Sequence, residues 1–112
     1  MNNVFTGSRE MIGNTPILQI ANMGVKPGVN IFAKLELMNP GGSVKDRVGL
    51  YMIEDAEEKG LLKPGGTIVD ATAGNTGIGI AFAALNRGYD VIFTVPEKFS
   101  VEKQQVMKAL GA

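Results

Sequence analysis

From residue 29 onward the chain repeats one pattern: a run of alternating apolar and polar residues, a turn, then a helical run closed by glycine or proline. Val29–Leu37 alternates over most of its length as a strand does. Ser43–Lys59 reads as a helix, with Val44, Val48, Tyr51, Met52 and Ala56 as its buried stripe and Gly60 at the stop position. The turn Lys63-Pro64-Gly65-Gly66 leads into a strand over Thr67–Ala71. Thr76–Arg87 is a second helix ended by Gly88, and Asp90–Val95 is a strand stopped by Pro96. Ser100 then caps a last helix that runs to Leu110, ahead of Gly111. Strand then helix, three times over, predicts right-handed crossovers on a parallel sheet, an α/β fold of three-layer αβα type. Residues 1–28 read differently: Asn14-Thr15-Pro16 as a turn, Ile17–Ile20 as a short strand and Lys26-Pro27-Gly28 as a linker.

The absences narrow the chemistry. Among 112 residues there is no cysteine and no histidine, which removes disulfides, Cys nucleophiles, Cys- or His-based metal sites and a Ser-His-Asp triad. Any reaction must run through Lys, Asp, Glu, Ser, Thr or Tyr, and a bound cofactor is the natural way for that set to do difficult chemistry. Eleven basic residues balance eleven acidic ones without a cluster, so no nucleic acid and no membrane surface is expected as partner. No apolar run approaches the ~18 residues that span a bilayer. Met1-Asn2-Asn3-Val4-Phe5 lacks the start of a signal peptide, so a cytoplasmic place is expected. Three parallel strands bury little, and Gly111-Ala112 falls where the alternation would next demand a strand, so a longer parent protein is expected.

Two loops carry the candidate chemistry. Asn39-Pro40-Gly41-Gly42-Ser43-Val44-Lys45-Asp46-Arg47 opens a helix, with Ser43 and Asp46 spaced as a Ser-x-x-Asp variant of the capping box. Lys45 then sits in the first turn, where the macrodipole disfavours positive charge by about 0.3–1 kcal/mol and so favours a nucleophilic amine. Thr72-Ala73-Gly74-Asn75-Thr76-Gly77 follows a strand and opens the next helix, so its amides, its hydroxyls and Asn75 form a cradle for a carboxylate or phosphate. Glycines 74 and 77 would let the main chain approach that ligand closely. Both loops follow strands, and in open parallel sheets ligands sit at the carboxyl ends of strands. Neither nucleotide motif is present. Residues 74–79 have their glycines as G-x-x-G-x-G, and residues 60–67 have Gly66 where a P-loop needs lysine. Asp46 and Arg47 read as serving the helix end. Glu54, Asp55, Glu57, Glu58 and Lys59 read as a solvated face.

These two loops, with Ile12-Gly13-Asn14-Thr15-Pro16, resemble the cysteine synthase / cystathionine β-synthase family of pyridoxal-phosphate enzymes, and the likeness runs through the whole chain. The resemblance implies fold type II, with pyridoxal 5'-phosphate in Schiff-base linkage to Lys45. It also implies that Asn75 bonds the cofactor's ring hydroxyl, and that Thr72, Ala73, Gly74 and Thr76 hold the substrate carboxylate. Ala73 departs from the serine many members carry, which leaves the backbone cradle but removes a side-chain contact. The implied reaction is β-replacement on serine or O-acetylserine by sulfide or homocysteine, with Lys45 removing the α-proton, in a protein that is a homodimer at full length. Residues 1–40 would be an amino-terminal segment packing on a large domain and residues 41–112 an incomplete small mobile α/β domain, the large carboxyl-terminal domain being absent. The chain would then be an inactive fragment. The alternative is a non-catalytic folding or interaction module derived from the same family.

Overall fold

Local signals set most of the element ends. A computed structural model describes residues 4–72 and 74–112. Its helices are α1 (Ser8–Met11), α2 (Lys45–Glu58), α3 (Asn75–Ala84) and α4 (Val101–Ala109), with a 3₁₀ turn at Glu36–Met38. Its strands are β1 (Ile17–Ile20), β2 (Ile31–Lys34), β3 (Thr67–Ala71) and β4 (Asp90–Thr94). Gly60 ends α2 at φ +68°, with its N–H bonded to the Glu57 carbonyl and the Leu61 N–H to the Ala56 carbonyl, which is a complete Schellman motif. Gly65 at φ +75° makes the Pro64-Gly65 turn into β3 type II-like. Ser100 caps α4 by accepting the Lys103 N–H, and Gly111 closes it at φ +97°.

The α/β class and the parallel pairing hold: β3 and β4 run parallel in register from Thr67↔Asp90 to Ala71↔Thr94. The expected third strand does not join them. Shorter than its alternating run, β2 pairs antiparallel with β1, from Ile17↔Lys34 to Ile20↔Ile31, and the Leu35 N–H continues the ladder to the Pro16 carbonyl. A turn bonding Val29 N–H to the Lys26 carbonyl returns the chain beside β1, so the nearer partner takes the backbone groups of β2.

The core forms where α2 and α3 meet the Ile68/Val91 face of β3 and β4, around Leu50, Ile53, Ala83 and Ala84. Val69 and Ile92, on the opposite face, are exposed, so the second helical layer of a three-layer arrangement is not among the described residues. Buried on nearly every side, α3 is accordingly apolar all round. The buried face of α2 is Asp46, Gly49, Leu50 and Ile53, whereas Val44, Val48, Tyr51 and Met52 of the expected stripe are exposed. The glycine side of α2 faces α3 because only there can the two backbones approach. The second helix also stops earlier than its composition suggests. Leu85 is extended and Asn86 left-handed at φ +60°, which turns Arg87 back so that its Nη2 bonds both carboxylate oxygens of Glu57 at 2.6 Å. Tyr89 donates to the same carboxylate, so Glu57 is an anchor rather than part of a solvated face. Asp55 and Lys59 do form the expected exposed pair. The radius of gyration is 16.9 Å, against about 13 Å for a compact domain of this length. No helix among the described residues is long and apolar enough to cross a membrane.

Candidate active site

Two glycines bring the helix mouths together. A Cβ on Gly49 would collide with the backbone of Gly79 and Ile80, and one on Gly79 would collide with the Lys45 carbonyl. The first turn of α2 therefore lies directly on α3, four residues and about 6 Å of helix rise beyond Asn75. Lys45 is the first residue of α2 and Asn75 the first of α3, so the amine and the amide belong to adjoining helix mouths.

The loop that delivers Lys45 is bolted down from two sides. Arg47 makes a bidentate pair with Glu36, Nε to Oε2 at 2.8 Å and Nη2 to Oε1 at 3.0 Å. Thr15 donates its hydroxyl to Glu36 Oε1 at 2.6 Å, and Asn39 Nδ2 donates to Glu36 Oε2 at 2.8 Å. Asn39 Oδ1 in turn accepts the Gly13 N–H at 2.9 Å. Gly13, at φ +93°, leaves the space that the Arg47 guanidinium occupies. The Ile12-Gly13-Asn14-Thr15-Pro16 segment is thus the socket for the first turn of α2. Ser43 Oγ accepts the Lys45 N–H at 3.1 Å, but the Ser43–Asp46 capping box does not form. Asp46 is wholly buried and its carboxylate accepts the Gly41 N–H instead, because the loop folds back over the helix start.

Arg47 first, then Thr15, holds the Glu36 carboxyl at about 2. A carboxyl depressed in the folded state stabilises it fully above the ordinary value of 4.5 and loses that contribution as pH falls toward about 2. Glu36→Gln should therefore flatten the acid limb of stability between those limits, read as thermal midpoint against pH. An unchanged acid limb would remove Glu36 from the account.

In the second loop, the buried Thr72 accepts the Gly77 N–H on its hydroxyl oxygen at 3.0 Å, which sets the turn from β3 into α3. Thr72 thereby shapes the loop. Asn75 is exposed and helical, not left-handed, so backbone tolerance does not explain its presence. Thr76 is half-buried beside it. Gly77 serves packing rather than ligand approach: its Cβ would lie 2.5 Å from Met107 Sδ and from Thr72 Cγ2. Gly74 instead faces the Lys103 side chain, whose Nζ would be 3.3 Å from its Cβ. Ala73 lies outside the described residues. A groove of about 440 Å³ opens at the carboxyl ends of β3 and β4, and of the expected site residues described here only Thr72 lines it, with Val95, Pro96 and Phe99 among its neighbours.

This chain matches the family described as "Pyridoxal-phosphate dependent enzyme" over residues 9–112. It belongs to that family. Over 109 residues it is 59% identical to the O-acetylserine dependent cystathionine beta-synthase of Bacillus subtilis (strain 168), covering 97% of this chain and 36% of that protein. It is 51% identical to cysteine synthase 1 of Emericella nidulans over 106 residues, covering 95% of this chain and 29% of that one. The crystal structure of the O-acetylserine dependent cystathionine beta-synthase from Helicobacter pylori superposes with a TM-score of 0.89 at 47% identity, covering 97% of this chain and 36% of that one. The chain spans about a third of the length of these relatives.

Within this pyridoxal-phosphate dependent family, the donor set here fits the cofactor: one amine on the first residue of α2 and one exposed amide on the first residue of α3, two helices whose backbones meet at Gly49 and Gly79. Glu36, Gly49, Gly79 and Lys103 were not singled out from sequence. Gly49 and Gly79 each interrupt an apolar helical run, the one signal that could have marked them.

Proposed function

We propose that this chain is the amine-bearing part of a pyridoxal-phosphate enzyme that carries out β-replacement on serine or O-acetylserine, with sulfide or homocysteine as the incoming nucleophile. The observation that supports the reading is the glycine-on-glycine crossing, which packs the Lys45 backbone against Gly79 of α3, the helix that Asn75 opens. The match to cysteine synthases and cystathionine β-synthases supports the substrate class. Lys45 Nζ would be the covalent anchor for the cofactor and, as a free amine, would take the proton from the substrate's α-carbon. The Asn75 side-chain amide would bond the cofactor's ring hydroxyl. The substrate carboxylate is held by Thr72, Ala73, Gly74 and Thr76, of which Gly74 and Thr76 stand at the positive end of α3. When bound, pyridoxal 5'-phosphate supplies the electron sink.

The coverage of about a third of each relative supports a division of labour. Residues 41–112 are an incomplete small mobile α/β domain, residues 1–40 pack on a large one, and the 112 residues by themselves do not turn over. The complete protein is a cytoplasmic homodimer. Borohydride reduction of the full-length protein with pyridoxal phosphate, followed by peptide mass mapping, is expected to place the adduct on Lys45 alone. An adduct on Lys34 or Lys63 would sink the assignment.

A further inference from the structure

Adjacent glycines in the Lys45 loop are there for different reasons. Gly42 has φ +84° and open space around its Cβ position, so glycine is required by the backbone. Gly41 has no such angle. A Cβ there would lie 2.9 Å from Asp46 Cγ and from Oδ2, and closer still to Oδ1. Asp46 is 0% exposed, one oxygen accepting the Gly41 N–H and the other, Oδ1, having no partner among the described residues. Enclosing a carboxyl with one oxygen unpaired costs free energy, which the fit against Gly41 must offset.

We propose that Asp46 is a positioning residue for Lys45: its buried carboxyl fills the space left by Gly41, and the two form one fitted contact that clamps the loop over the start of α2. This rests on the reading of Lys45 as the reactive amine. Asp46 follows Lys45 directly, so whatever holds its side chain against the loop also fixes the backbone from which the Lys45 side chain departs. Burial pushes the Asp46 carboxyl above its ordinary range, against the Gly41 N–H, and the Glu36 charge adds to the rise. An amide of the same shape, which keeps an oxygen for the Gly41 N–H, is the conservative replacement for it.

The test uses the full-length protein and two readouts: thermal midpoint, and the rate at which reducible pyridoxal phosphate adduct accumulates on Lys45 at a temperature where every variant is folded. Asp46→Asn keeps the acceptor for Gly41 and is expected to stay within about threefold of the natural rate. Asp46→Ala leaves that N–H buried without a partner and should slow the adduct about tenfold. Gly41→Ala alone should cost about tenfold, but under about threefold once Asp46→Ala has made room, since contacting residues are non-additive. Gly42→Ala should lower the thermal midpoint equally with or without Asp46→Ala, because its cost lies in the backbone angle. Additive effects of Gly41→Ala and Asp46→Ala on the midpoint would overturn the fitted contact. An unchanged Lys45 adduct rate in Asp46→Ala would overturn the positioning role while leaving Lys45 as the anchor. An adduct on another lysine in the natural protein would instead defeat the anchor assignment, and the positioning role with it.

Discussion

In the full-length protein, Lys45→Ala is expected to abolish β-replacement while leaving the fold in place. The substitution removes the proposed covalent anchor and the proposed carrier of the α-proton, and a positioned proton-transfer group alone contributes about 10²–10⁴-fold. Its cost to stability should be small. The Lys45 side chain makes no hydrogen bond or ion pair among the described residues, and the bond that shapes the loop comes from the backbone N–H of Lys45 to Ser43, which alanine keeps. The change in unfolding free energy should therefore stay within about 0.5 kcal/mol. Steady-state assays at saturating cofactor, beside urea unfolding of the same preparation, separate the two effects. Retained turnover would refute Lys45 as the reactive amine, and a collapse in stability would show that the lost activity says nothing about chemistry.

Gly79→Ala should act in the opposite sense, through the fold first. The added methyl meets the backbone of Lys45 and Asp46, not the flexible end of a side chain, so the helices must separate for it to fit. Overpacking of a tight interior costs about 1–3 kcal/mol, and here the relaxation that relieves it moves α2 away from the mouth of α3. Both the urea midpoint and the Lys45 adduct rate should fall. Gly49→Ala, which meets the Gly79 carbonyl from the other side, should do the same. A Gly79→Ala protein with an unchanged midpoint and a normally reactive Lys45 would mean that the helix crossing does not set the site.

These expectations divide along the line between local and long-range information. Gly60, Gly65, Ser100 and Gly111 act within a few residues of themselves, through left-handed angles and capping bonds, and the elements they bound lie close to where the sequence puts them. The places of Lys45 and Asn75 were legible for the same reason: the start of a helix is a local arrangement. Which face of α2 is buried was not local. Val48, Tyr51 and Met52 form a good apolar stripe, yet the Gly49 side is buried because backbone can approach backbone only where side chains are missing. The partner of β2 depended on the chain's return beside β1, and the Glu36–Arg47 pair joins residues eleven apart through a socket built from Gly13, Thr15 and Asn39. The sequence determined most of the ends of helices and strands, the stop of α3 and the length of β2 apart, and which residues stand at the helix mouths. Only the tertiary structure decided which mouths adjoin, because that depends on which surfaces are bare enough to touch.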